Sequence, residues 1–198
     1  MRKIAIICGG YSGEYEISIK SAKVVKKHLD SELYDSYLIV IKKGDWFCLT
    51  DDDKHIPVDK NDFSIIYDGV KITFDAVFNA VHGIPGENGE ILGYFEMLNI
   101  PYTSSGFTTC ALTFNKDLTK HIAAAYGATV SPSVTINRGD FIDKKDIIET
   151  LGLPLFVKPT CNGSSVGVSK VNNEEDFDKA IEIAFAAGDQ IMCEKFVK

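Results

Sequence analysis

The residues with the most evident chemistry lie in the run Phe156-Val157-Lys158-Pro159-Thr160-Cys161-Asn162-Gly163-Ser164-Ser165-Val166-Gly167-Val168. An apolar strand ends on a lysine, a proline blocks further pairing, and a Gly/Ser loop leads back into apolar residues. Glycines allow backbone amides to face an anion, and serines add hydroxyl donors. The lysine beside them supplies a positive charge suited to phosphate. The run therefore reads either as a hairpin with a Gly/Ser tip or as a phosphate cradle. It is not a Walker A loop, because the G-x-x-x-x-G-K-[ST] order is missing.

Three other positions could carry chemistry. Glu14 stands at the mouth of the turn Gly9-Gly10-Tyr11-Ser12-Gly13, with Glu16 close behind. That turn lacks the G-x-G-x-x-G order of dinucleotide sites. Glu14 reads either as a carboxylate favoured by a helix N-terminus or as a partner for a substrate ammonium at the carboxyl edge of a sheet. His82 follows an apolar run and precedes a loop containing Gly83, Gly86 and Gly89. It is either structural or a donor to a bound carboxylate or carbonyl. Lys116 falls at a helix start, where a cation opposes the dipole; it is a solvated surface lysine or a phosphate partner.

The elements that must position these groups alternate between strand and helix. Ile4 to Cys8 reads as a buried parallel strand, and a helix follows whose face is taken as Ile17, Ser21, Val24, Val25, His28 and Leu29. Tyr37 to Ile41 is a second strand. Residues 42 to 73 read as short antiparallel pieces added to the sheet. Phe74 to Val81 is another strand, Ile91, Leu92, Phe95 and Leu98 stripe a helix, and Ile100 to Thr103 is a short strand. Beyond Ser104-Ser105-Gly106 come a helix ending at Gly127, a helix over 140–151, strands over 153–158 and 166–171, a helix capped by Asn173, and a strand over 190–197. The fold class expected is α/β, with a Rossmann-like parallel-sheet N-terminal domain over 1–104 and an α+β unit over 105–198. A last strand without a closing turn or helix leads us to expect a longer enzyme.

Composition narrows the function. A length of 198 residues with 45% hydrophobic and 25% charged residues suits one large or two small globular domains. The net charge of −7 argues against a nucleic-acid partner. No run approaches the roughly 18 apolar residues of a membrane span, and the apolar start is too short for a signal peptide, so a cytoplasmic protein is expected. The five cysteines form no C-x-x-C pair, which fits reduced thiols rather than disulfides or zinc.

Six stretches taken together resemble the D-alanine–D-alanine ligase family of the ATP-grasp superfamily. They are GGYSGEYEIS (9–18), VHGIPGENGEILG (81–93), PYTSSG (101–106), NKDLTK (115–120), LFVKPTCNGSSVGVSKV (155–171) and CEKFV (193–197), in the family's order. The resemblance implies that 105–198 is the first half of an ATP-grasp fold, ending in the adenine hinge strand. It implies that Glu14 binds the ammonium of the first D-alanine, with Ile17 and His82 also on the substrate, and that Ser164 joins Glu14 in a catalytic network. Lys116 and Lys158 would hold ATP phosphates, with Gly163 and Ser165 in the phosphate loop; Glu194, Lys195 and Val197 would receive the adenine. The reaction implied joins two D-alanines through an acyl phosphate, for peptidoglycan precursors. Mg2+ is implied as well, with its ligands and a closing loop beyond Lys198. A homodimer is implied for the full-length enzyme, and the 198-residue chain alone is expected to be inactive. D-alanine–D-lactate and D-alanine–D-serine ligases share most of these motifs, and a non-catalytic nucleotide-binding module is the alternative of another class.

Overall fold

The computed structural model describes residues 1–197, which form two compact units, Met1–Ala111 and Leu112 onward. The contacts divide within helix α3 (Phe107–Phe114), a few residues beyond Ser104-Ser105-Gly106. That helix is absent from the sequence reading, because its apolar and threonine residues carry no buried stripe to announce it.

The first unit is one mixed sheet. Strands β1 (Arg2–Gly9), β2 (Tyr34–Lys42), β7 (Ala76–Asn79) and β8 (Tyr102–Thr103) run parallel. Strands β3 (Asp45–Leu49), β4 (His55–Asp59), β5 (Ser64–Tyr67) and β6 (Val70–Ile72) extend its edge in antiparallel fashion, as expected. The order is β6-β5-β4-β3-β2-β1-β7-β8. Because side chains alternate along a strand, β1 feeds two cores. Ala5 and Ile7 join Ile39, Ile41 and the aromatic group around Phe63 and Phe95, whereas Ile6 and Cys8 join Leu38, Val40 and Ala22. Helix α2 (Glu90–Met97) buries the expected Ile91, Leu92 and Phe95 in the first core.

Helix α1 (Tyr15–His28) forms, but its buried residues are Ser18 and Ala22, whereas Ile17 and Val24 are exposed. An apolar spacing rule cannot find a face centred on a serine. Ser18 is fully buried because its hydroxyl accepts from Gly9 N at 2.8 Å and donates to Ala80 O at 2.6 Å.

The second unit holds a separate antiparallel sheet, β11-β10-β12-β9. Its strands are β9 (Ser133–Asn137), β10 (Leu155–Pro159), β11 (Ser169–Val171) and β12 (Gln190–Lys195). Strand β9 was not foreseen, because its apolar content is low. Val166 to Val168 belongs to the loop before β11, not to the strand. Helix α5 runs Lys144–Leu151, capped by Asp143; Asp140 instead closes a turn by accepting from Asn137 N at 2.8 Å. Asn173 starts a 3-10 turn, Glu174–Asp176, and α6 (Phe177–Ala186) follows it. One sheet face is dry: Leu155, Val157, Ile191, Cys193 and Ile136 pack with Ile147, Leu151, Phe177 and Ala184. The other face carries Lys158, Glu194 and Ser133, the alternate residues of β10, β12 and β9. Helix α4 (Lys116–Ala125) ends before Gly127 as expected, yet Leu118, Ile122 and Tyr126 on its apolar face are exposed.

Candidate ligand-binding sites in the two units

In the first unit, the turns after β1 and β7 are bonded to each other. The two strands are parallel neighbours in register, so their carboxyl ends coincide. Tyr11 N donates to Ile84 O at 2.7 Å, and Ser12 Oγ donates to His82 O at 3.0 Å. Gly10 has φ +106, and a Cβ there would meet Ile84 O at 2.8 Å and Val81 Cγ1 at 2.9 Å, so only glycine permits this approach.

Glu14 occupies the N-cap position of α1, but its side chain makes no capping bond. Its Oε2 lies 3.7 Å from where a Cβ on Gly83 would stand, which puts the carboxylate beside the His82-Gly83 turn. His82 is half-buried, and its Nε2 lies 3.2 Å from Ser21 Oγ of α1. Ile17 is 54% exposed at the start of the helix. One edge of the sheet thus holds a carboxylate, an imidazole and an exposed apolar side chain, and can receive a small molecule bearing both ammonium and carboxylate.

In the second unit, Lys116, Phe156, Lys158, Asn162, Gly163, Ser164, Ser165, Val166 and Glu194 line a cleft of about 390 Å3. The left-handed backbone sits on the serines, with φ +48 at Ser164 and +57 at Ser165. For residues with a side chain this costs about 1–2 kcal/mol each. Gly167 has φ +75 and faces Ala187, where a Cβ would come within 2.6 Å of its methyl.

Lys116 begins α4, while Asn115 caps the helix by accepting from Asp117 N at 2.9 Å and Leu118 N at 3.1 Å. The Lys116 ammonium donates to Asn162 O at 2.6 Å. Burial, together with the nearby Lys158 charge, lowers its pKa. A partly desolvated cation beside a second cation favours an anion.

Lys158 meets Glu194 Oε2 in an ion pair. The register makes this contact: Phe156 lies opposite Glu194 and Lys158 opposite Met192, so lysine and carboxylate are diagonal neighbours on the same face. Lys120 reaches Glu194 Oε1 at 2.7 Å, and Ser131 Oγ donates to that atom at 2.6 Å. Burial pushes the Glu194 carboxyl up, but hydrogen bonds from Lys120, Lys158 and Ser131 more than offset this and hold it at about 2. Lys120 was missed in the sequence, because nothing in NKDLTK distinguishes a buried lysine from a solvated one. Lys195 and Val197 lie outside the lining of the cleft, and Val197 is 67% exposed.

Among the described residues, no group of three or more His, Cys, Asp or Glu side chains could hold a metal ion. None of the described helices is long and apolar enough to cross a membrane.

Residues 3–105 match the model of the D-ala D-ala ligase N-terminus, and residues 122–198 match that of the D-ala D-ala ligase C-terminus. A D-alanine–D-alanine ligase from Flavobacterium johnsoniae is 44% identical over 197 residues, which are 100% of this chain and 61% of that protein. The structure of the D-alanine–D-alanine ligase from Coxiella burnetii superposes with a TM-score of 0.88 at 30% identity, covering 100% of this chain and 64% of that one. The Bacillus anthracis ligase complexed with ATP gives a TM-score of 0.78 at 25% identity, covering 100% and 60%. The chain thus spans about 60% of the length of these relatives.

Proposed function

The chain belongs to the D-alanine–D-alanine ligase family, and we propose that the protein containing it joins two D-alanines at the expense of ATP, for peptidoglycan precursors. The observation that carries this reading is the convergence of Lys116, Lys158 and the Gly163–Ser165 loop on one cleft. Two cations facing a strained loop of hydroxyls and amides suit a polyphosphate.

In this reading, the first unit is the substrate-binding domain and the second is the first ATP-grasp subdomain. Glu14 pairs with the ammonium of the first D-alanine, while His82 donates to its carboxylate side and Ile17 offers an apolar contact. Ser164 shares the catalytic assignment with Glu14. Lys116 and Lys158 hold the phosphates, with Gly163 and Ser165 beneath them; Glu194, Lys195 and Val197 form the adenine segment. The carboxylate of the first D-alanine attacks the γ-phosphorus, and ADP leaves. The ammonium of the second D-alanine gives up a proton, the free amine attacks the acyl carbon, phosphate departs, the nitrogen loses a second proton to solvent or phosphate, and a peptide bond remains. The residues contribute positioning and charge stabilisation, the main needs of phosphoryl transfer. The expected metal, when bound, would supply further charge neutralisation. We also place the protein in the cytoplasm as a homodimer, with neither nucleic acid nor membrane as partner. Light scattering at micromolar concentration checks the dimer, and a monomer counts against it.

The deciding experiment titrates the full-length protein with ATP and D-alanine while phosphate release and dipeptide are measured. D-Lactate and D-serine are offered in parallel as second substrates. D-Alanyl-D-alanine as the main product supports the reading. A D-lactate or D-serine product reassigns the second substrate, and ATP binding without turnover replaces the enzyme by a nucleotide-binding module.

A further inference from the structure

One carboxylate in the second unit has two lysines. Glu194 receives Lys120 on one oxygen, at 2.7 Å, and Lys158 on the other. All three side chains are largely buried, at 16% exposure for Lys120 and Glu194 and 20% for Lys158. Only Lys158 and Glu194 line the cleft; Lys120 does not. Its ammonium is anchored behind them, by Ser133 Oγ at 2.8 Å and Ser131 Oγ at 3.3 Å.

The charge count follows. A lone Lys158–Glu194 pair is neutral and offers an incoming anion nothing. With Lys120 added, the cluster carries a net positive charge, and the surplus faces the cleft through Lys158. When Lys158 turns to an anion, Glu194 must stay compensated, because a buried charge left unpaired is strongly unfavourable. Lys120 and Ser131 already occupy its other oxygen and can do this without moving.

We propose that Lys120 is a positioning residue for the nucleotide: it neutralises Glu194 so that Lys158 is available to phosphate. This rests on the reading of Lys158 as a phosphate partner. Lys120 touches no phosphate itself and acts only through Glu194.

The test uses the full-length protein titrated calorimetrically with ATP. Lys120→Gln keeps a hydrogen-bond donor for Glu194 but removes the charge. It is expected to weaken ATP binding roughly tenfold, equivalent to about 1.4 kcal/mol, with the D-alanine KM unchanged. Lys120→Arg restores binding. In a Glu194→Gln background, the Lys120→Gln loss disappears, because a neutral amide needs no counter-charge. Wild-type affinity in Lys120→Gln, or equal losses in both backgrounds, overturns the proposal and leaves Lys120 a structural ion pair. Should Lys120→Gln not fold, Glu194→Gln alone decides, with inorganic triphosphate as a probe that carries no adenine. Affinity held or tightened supports the proposal, and affinity lost overturns it. Lys158→Met separates the two ideas: if it leaves ATP binding intact, the phosphate-site reading itself falls, whatever Lys120 does.

Discussion

At the residue scale, the two acids of greatest interest sit in contrasting surroundings. Glu14 stands at a helix N-terminus without capping it, beside the His82-Gly83 turn. A carboxylate at that edge of the sheet suits a substrate ammonium. In the full-length protein, Glu14→Gln is expected to lower kcat/KM for D-alanine roughly ten- to a hundredfold, as for a lost charge-assisted bond of about 1.5–3 kcal/mol. ATP affinity should hold, and an equal loss of ATP binding, measured by calorimetry, would remove Glu14 from the substrate site. Glu194 is instead consumed by internal partners, which hold its carboxyl at about 2, below the ordinary 4.5. A depressed folded-state value contributes stability above the unfolded value, and that stability is lost as pH falls through the folded one. Glu194 should therefore add stability, on the order of 3 kcal/mol, at pH 6, and lose it between about pH 4.5 and 2. Urea unfolding of wild type and Glu194→Gln at pH 6 and pH 3 checks this: the difference between them should shrink sharply at the lower pH.

At the element scale, Ser18 does what no apolar residue of α1 could do. Its hydroxyl bridges the end of β1 and the end of β7, through Gly9 N and Ala80 O. Helix, turn and neighbouring strand are thereby held as one piece, and Glu14 and His82 ride on that piece. Ser18→Ala leaves a buried N–H and a buried C=O without this partner, and should destabilise the protein by about 1–3 kcal/mol. Chemical denaturation measures that cost. The D-alanine KM should rise as well, while the ATP KM stays near wild type, because the bridge lies wholly in the first unit. A stability loss with both KM values unchanged would mean that the turns keep their geometry without it. In the second unit the comparable device is register, since the diagonal pairing of β10 with β12 brings Lys158 to Glu194.

At the scale of the whole molecule, the expected consequence of composition is charge. ATP carries several negative charges, and in the proposed reading Lys116 and Lys158 of the second unit's cleft answer them. No carboxylate cluster for a metal accompanies them among the described residues. Positioning and charge stabilisation dominate phosphoryl transfer. The 198-residue chain assayed by itself is therefore expected to fold, to bind ATP weakly and to form no D-alanyl-D-alanine. Dipeptide above a no-enzyme control would show that the residues present suffice.

The sequence by itself determined the alternation of strands and helices, the antiparallel extension over 42–73, the helix stop before Gly127, and the glycine-bearing turns. These depend on local propensity, period and backbone freedom, which a short stretch carries on its own. It also placed Glu14 and His82 after strands, and Lys116 and Lys158 beside a loop. Only the tertiary structure decided which faces are buried. α1 turns Ser18 inward because two backbone groups from distant strands complete its hydrogen bonding. α3 and β9 were illegible, one lacking a buried stripe and the other apolar content. The role of Lys120 was hidden for a similar reason. A lysine's charge is written in the sequence, but whether it meets water or a buried carboxylate 74 residues away depends on strand register and helix placement.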